Sequence, residues 1–273
     1  MFNRFLREST NDLARDADYQ AEQAKHALND DMMGHAIRWA DWTVANTRKV
    51  AARRRDDPMG PGVLADRLWD RALIREAMDD ISGAIGDASE ALAILHESPA
   101  NDDEALMVPS LDLLLCELHA RAGDAEAARG HAPAIRAYEG VTDDYPPLVL
   151  ADGYGRYGRA MHLIGDPEGG PALRRAAAFY REASIGTRYS AMTYIRLVLL
   201  IADSTPVTAT EAPQMLTMLR SAAAVARRLP LVVVPPVPPG QARASAAAYT
   251  PEVFTEAMVK SRMAEWLAVL REK

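Results

Sequence analysis

The sequence predicts an all-α protein of stacked antiparallel helical hairpins with a C-terminal capping helix. Three observations carry that prediction. Alanine, leucine, arginine and glutamate dominate while runs of β-branched residues are scarce, so helix is the default outside the proline and glycine clusters. A glycine-aspartate pair recurs at Gly86-Asp87, Gly123-Asp124 and Gly165-Asp166, 37 and 42 residues apart, each following one apolar helical stretch and opening another. Five residues beyond each glycine stands a small residue, Ala91, Ala128 or Gly170, where two helices can cross closely. The glycine suits a left-handed helix end and the aspartate the cap of the next helix.

The elements follow from this punctuation. Ser9-Thr10-Asn11-Asp12 caps a helix through about Leu28, and Asn29-Asp30-Asp31 breaks it before a second helix from Met32 to Arg55. Asp56 to Gly62 is a turn-rich connector. Leu64, Leu68, Ala72 and Arg75-Glu76 then continue a helical spacing to about Ile85, and Gly86-Asp87 is expected to end that helix. Ala202-Asp203 opens a looser fifth break. The prolines of Leu231-Val-Val-Val-Pro-Pro-Val-Pro-Pro-Gly240 remove donors and hold their neighbours extended, giving a polyproline-like or strand-like crossing. From Thr250-Pro251-Glu252 a last helix runs to the terminus with Val259, Met263, Trp266 and Leu270 on one face. The expected organisation is a helical-repeat region over 1–229, a proline-rich crossing over 230–249 and a capping helix over 250–273, all in one structural domain.

The stretches Leu113 to Ala128, Tyr157 to Asp166 and Ile85 to Leu92 resemble the tetratricopeptide-repeat superfamily, with Cys116 and Gly158 as the small residues seven before the turn glycines. Asp79 stands at that small position in the second hairpin, and Pro167 to Pro171 reads as an insertion. The resemblance covers about 70 to 187 best and implies hairpins stacked around a concave groove. Counted back thirteen, ten, six and three residues from each turn, the groove positions it implies include Glu76, Asp80 and Gly83, then Glu117 and Ala120, then Arg159 and His162. Taking Ala202 as a fifth turn adds Tyr189, Met192 and Arg196. Such a wall would be acidic toward its N-terminal half and basic toward its C-terminal half.

Composition narrows the function classes. The 273 residues are 49% apolar, enough for a continuous core, and 31 basic against 38 acidic residues give a net charge of −7, which disfavours nucleic acid as the main partner. No run of about eighteen apolar residues is present and the first residues lack a signal-peptide stretch, so no membrane span and a cytoplasmic location are expected. The lone Cys116, in a run of leucines, reads as a small core residue. None of His26, His35, His96, His119, His131 and His162 has a second histidine three or four residues away, so no metal is expected. Of the aspartate pairs only Asp79-Asp80 falls inside the predicted helices, and Gly83 stands where a third acidic ligand of a diphosphate site would be. Gly153-Tyr-Gly-Arg-Tyr-Gly158 imitates a dinucleotide fingerprint in letters but follows no strand. Arg48-Lys49 and Arg53-Arg54-Arg55 complement a helix C-terminus, and Trp39 and Trp42 fit an inter-hairpin seam.

No catalytic motif survives and no cofactor is implied. The expected function is a non-catalytic scaffold or adaptor that binds a protein or peptide. The alternatives are an all-helical enzyme or small-ligand receptor with an unmarked pocket, and a structural homo-oligomer in which Leu231 to Val237 pairs with its copy.

Overall fold

The computed structural model describes residues 9–29, 32–53, 60–97, 107–139, 146–182, 188–206, 208–228, 231–233, 252–254 and 256–271. These residues are helical apart from turns and one two-stranded ladder. The chain divides into two compact units, Met1–Leu118 and His119–Lys273.

In the first unit, α1 (Thr10–Asn29) pairs with α2 (Met33–Arg53), and α3 (Gly60–Ala77) pairs with α4 (Ile81–Glu97). Ser9 opens α1 as expected, its Oγ accepting from the Asp12 amide at 3.1 Å and donating to the Asp12 carboxylate at 2.6 Å. Ala24, Ala27, Ala36 and Ala40 meet Ile74 in one core cluster. Val44, Ala65, Leu68, Ala72, Ala84, Ala88, Ala91 and Leu95 form another with Leu111, Leu114, Leu115 and Leu118 of α5 (Met107–Ala122). Alanine at many of these positions lets the backbones approach closely, and Ala91 and Cys116 are fully buried, as expected of small residues at helix crossings.

One boundary differs from expectation. Gly86-Asp87 does not end a helix: α3 stops at Ala77, and α4 runs straight through that pair. The turn lies at Met78-Asp79-Asp80, with Asp79 in the left-handed region at φ 62°. There the Asp80 amide donates to Arg75 O at 2.9 Å and the Asp79 amide to Glu76 O at 3.1 Å. The same two bonds close α5 at Gly123 (Asp124 to His119 O, 2.9 Å; Gly123 to Ala120 O, 3.1 Å) and α8 at Gly165 (Asp166 to Met161 O, 2.8 Å; Gly165 to His162 O, 3.1 Å). All three are Schellman turns, in which a left-handed residue lets the last carbonyls of the helix be satisfied. Aspartate tolerates that region better than most residues with a Cβ, which is how the second turn dispenses with glycine.

In the second unit, Asp124 caps α6 (Ala125–His131) by accepting from the Ala127 amide at 3.0 Å. A single 3-10 turn (Ala132–Ile135) and α7 (Arg136–Glu139) follow. Next come α8 (Pro147–Leu163), α9 (Gly169–Glu182), α10 (Arg188–Ser204) and α11 (Ala212–Arg228). Ala128 is fully buried. Helix α8 is buried over most of its circumference, and its glycines are packing sites rather than a nucleotide loop: a Cβ on Gly153 would meet the Tyr138 ring at 2.7 Å, and one on Gly158 the Leu173 amide at 2.8 Å. Gly170 is not a crossing point, since a Cβ there would meet only the tip of Arg174; Gly169 takes that role, where a Cβ would come 2.6 Å from the His162 amide nitrogen. Helix α10 continues two residues past Ala202 before breaking.

Strand β1 (Leu231–Val233) pairs antiparallel with β2 (Glu252–Phe254) of the same chain, Val232 facing Val253. The last helix, α12 (Glu256–Arg271), therefore starts later than Thr250, because Glu252 to Phe254 are extended. It packs on α11 with Val259 and Trp266 buried, while Leu270 at its end is exposed, and Arg262 reaches Asp203 of α10 at 2.9 Å. The rest of the proline-rich segment lies outside the described residues.

The three glycine-aspartate pairs are therefore not equivalent, and alanine substitution separates them. Gly86→Ala adds a Cβ into open space inside α4 and should stabilise by about 0.5–1 kcal/mol. Gly123→Ala and Gly165→Ala, at φ 83° and 75°, should each destabilise by about 1 kcal/mol. Urea unfolding midpoints of the three variants should move in these opposite directions.

Candidate functional site

Helix α3 carries Arg67, Arg71 and Arg75 at four-residue spacing, which places all three on one face. Together they reach α1, α2 and α4. Arg67 pairs with Asp18 of α1 at 3.0 Å. Arg71 pairs with Asp41 of α2 at 3.0 Å and forks onto Asp87 of α4, Nε to Oδ2 at 2.8 Å and Nη2 to Oδ1 at 2.7 Å. Arg75 touches the same Asp87 carboxylate at 3.2 Å and donates to Gly83 O at 3.0 Å. The Asp87 side chain is 5% exposed, and only its position between two guanidiniums makes an ionised carboxylate tolerable there. Burial pulls the Arg71 guanidinium down, but Asp87 and Asp41 outweigh it and hold it above its usual value.

Beside this row lies a less satisfied group. Asp70 stands 3.6 Å from Lys25 and 3.8 Å from Arg67, and its Oδ2 is buried without a hydrogen bond. Burial, with Asp66 adding, pushes its carboxyl up to about 6 against the pull of Lys25 and Arg67. The indole N–H of Trp69 on the same helix is also buried without an acceptor.

Outside the row, α1 and α2 share an aromatic ridge. Trp39 meets Trp42 edge to face at 5.1 Å and Tyr19 at 6.2 Å. The seam expected from Trp39 and Trp42 is only half present: Trp39 packs against the Ala24 and Ala40 cluster, but Trp42 is 53% exposed and Tyr19 60%. Trp42 sits three residues on from Trp39, far enough round the helix to leave the core.

In the second unit the His119 and His131 rings stack at 5.7 Å, with Asp124 3.9 Å from His119. Burial, and then His131, hold His119 below its ordinary value. Among the described residues no three histidine, cysteine, aspartate or glutamate side chains are grouped to hold a metal ion. Burial pushes the Cys116 thiol up to about 12, with Glu117 and Asp112 adding, which leaves it unreactive. Arg175 lies 4.4 Å over the Tyr154 ring, which stacks on Phe179 at 5.8 Å.

The residues expected to line a groove fall unevenly. Glu76 and Asp80 stand before and after the left-handed Asp79 of the α3–α4 turn, Glu76 half-buried and Asp80 exposed. There Asp80 caps α4 by accepting from the Gly83 amide at 3.0 Å. Glu117 is buried, so it faces the packing of α5 rather than an open wall. Arg159 and His162, both half-buried, are one turn apart on α8, and Arg196 is half-buried on α10. Tyr189 belongs to α10, but its side chain and that of Met192 lie outside the described residues.

No family model matches this chain, and no curated protein matches it in sequence. No helix among the described residues is long and apolar enough to cross a membrane.

Asp70 supplies a pH test. A carboxyl whose folded value of about 6 lies above its unfolded 3.8 favours folding only while protonated. Stability should therefore fall as pH rises from about 4 to about 6, with the loss complete above that window. Asp70→Asn should flatten this dependence and raise stability at pH 7 by on the order of 2 kcal/mol, measured by urea unfolding across that range.

Proposed function

We propose that this chain is a cytoplasmic, non-catalytic scaffold of the tetratricopeptide-repeat type that holds a protein or peptide partner. The observation that carries the reading is the recurrence of one turn. Asp79, Gly123 and Gly165 close α3, α5 and α8 with the same pair of backbone bonds, as expected of a fold assembled from one repeated hairpin. Packed hairpins present a continuous surface within each unit, and the charges of α3 lend rigidity to that of the first, so a partner would meet a preformed wall there.

Indexed on Asp79 rather than Gly86, the second hairpin would offer Asp66, Trp69, Leu73 and Glu76 to that wall, all half-buried. In the second unit Arg159 and His162 keep their places in the proposal, since the turn at Gly165 stands where the sequence puts it, whereas Arg196 is counted from Ala202, which α10 runs through, and is retained only as a half-buried guanidinium of that helix. Guanidiniums such as those of Arg159 and Arg196 suit carboxylates of an acidic segment. The test is quantitative affinity enrichment from native lysate with wild-type protein and with Arg159→Ala combined with Arg196→Ala. A partner depleted more than tenfold by the double variant, at unchanged melting temperature, supports the reading. Equal capture by both proteins, or native mass spectrometry that finds a retained small molecule and no polypeptide, contradicts it.

A further inference from the structure

The α1–α2 surface has a charge pattern that the scaffold reading does not use. Four charged residues there form no ion pair among the described residues: Asp16 and Glu22 on α1, and Arg38 and Lys49 on α2. The charges beside them are already satisfied, Asp12 by Arg15, Asp18 by Arg67, Asp41 by Arg71 and Arg48 by Glu90. Among the described residues Arg38 reaches only the Gly34 carbonyl at 3.0 Å and the His35 ring at 3.4 Å, and Lys49 donates to Asn46 Oδ1 at 3.1 Å.

Their positions are ordered. Asp16 and Glu22 lie one helical turn on either side of Tyr19, and Arg38 and Lys49 lie one turn before and two turns after Trp42. The aromatic ridge of Tyr19, Trp39 and Trp42 thus has spare carboxylates along α1 and spare cations along α2. An acidic ligand drawn to Arg38 and Lys49 would also meet Asp16 and Glu22, and a basic ligand would meet the reverse mismatch. A copy of the same surface, turned about a two-fold axis parallel to the ridge, matches both sides at once, since each α1 flank then faces a partner α2 flank. Tyrosine and tryptophan at the centre with charges at the rim is also the usual anatomy of a protein interface.

We propose that the α1–α2 face is a docking surface for a second copy of this chain, with the Tyr19–Trp39–Trp42 ridge on the two-fold axis. This goes beyond the scaffold reading and does not depend on it. It also gives homo-oligomerisation a different route from pairing of Leu231 to Val237, since Leu231 to Val233 pair with Glu252 to Phe254 of their own chain.

The test is sedimentation velocity of the full chain from about 1 to about 100 μM. Wild-type protein should dimerise within that range, and Trp42→Ser should weaken the dimer more than tenfold with an unchanged circular dichroism spectrum. Two reversed variants decide the geometry: Arg38→Glu with Lys49→Glu, and Asp16→Lys with Glu22→Lys. Each alone should be monomeric, and an equimolar mixture should associate again, which misfolded proteins would not do. A wild-type monomer at 100 μM, a dimer indifferent to Trp42→Ser, or a mixture that stays monomeric would overturn the proposal.

Discussion

The carboxylate of Asp87, held between Arg71 and Arg75, is the contact on which the arrangement of the first unit depends. A buried charge cannot be left without partners, so α4 is fixed in rotation and height against α3. Arg71 extends the constraint to α2 through Asp41, and Arg67 extends it to α1 through Asp18. The apolar contacts do not have this directionality. Ala24, Ala36, Ala40, Ala65, Ala72, Ala84, Ala88 and Ala91 fill much of the interface, and small, similar side chains let helices approach without distinguishing one register from the next. Burial drives these helices together, and the arginine row selects how they meet.

The turns impose a second, local constraint. A helix can double back only if its last carbonyls find donors, and the Schellman pattern supplies them at the cost of one left-handed residue. Glycine takes that position at 123 and 165, and Asp79 takes it in the α3–α4 hairpin, where Asp80 also caps the next helix. One backbone requirement is met by two side-chain solutions.

That difference explains what the sequence could and could not reveal. Helix content, the turns at Gly123 and Gly165, and the burial of Ala91, Ala128, Cys116 and Gly158 were legible, because helix propensity, glycine at a helix end and small residues at crossings are local signals. The α3–α4 turn was not, since Gly86-Asp87 carries the familiar letters while serving inside α4, and Asp79 carries the geometry without the glycine. A trace of the truth lay in Arg67, Arg71 and Arg75, whose spacing marks a charged stripe, but only the fold shows that Asp87 answers it from sixteen residues beyond Arg71. The exposure of Trp42 and burial of Glu117 were equally hidden, because both depend on which side of a helix the neighbouring hairpin covers. Of the proposed groove, Arg159 and His162 keep the register read from sequence, whereas Asp80 follows the misplaced turn.

The claim that Asp87 and Arg71 act as a clamped pair is open to a double-mutant cycle in equilibrium unfolding, with Asp87→Ala, Arg71→Ala and the two combined. If the carboxylate is held as described, each single variant removes the closest partner of a buried charge and leaves it only a second one, Arg75 for Asp87 and Asp41 for Arg71, and the cycle should yield a coupling energy of about 1–3 kcal/mol. Costs that add to within about 0.5 kcal/mol would mean that the two side chains do not depend on each other, and the arginine row could not be what sets the register of the hairpins.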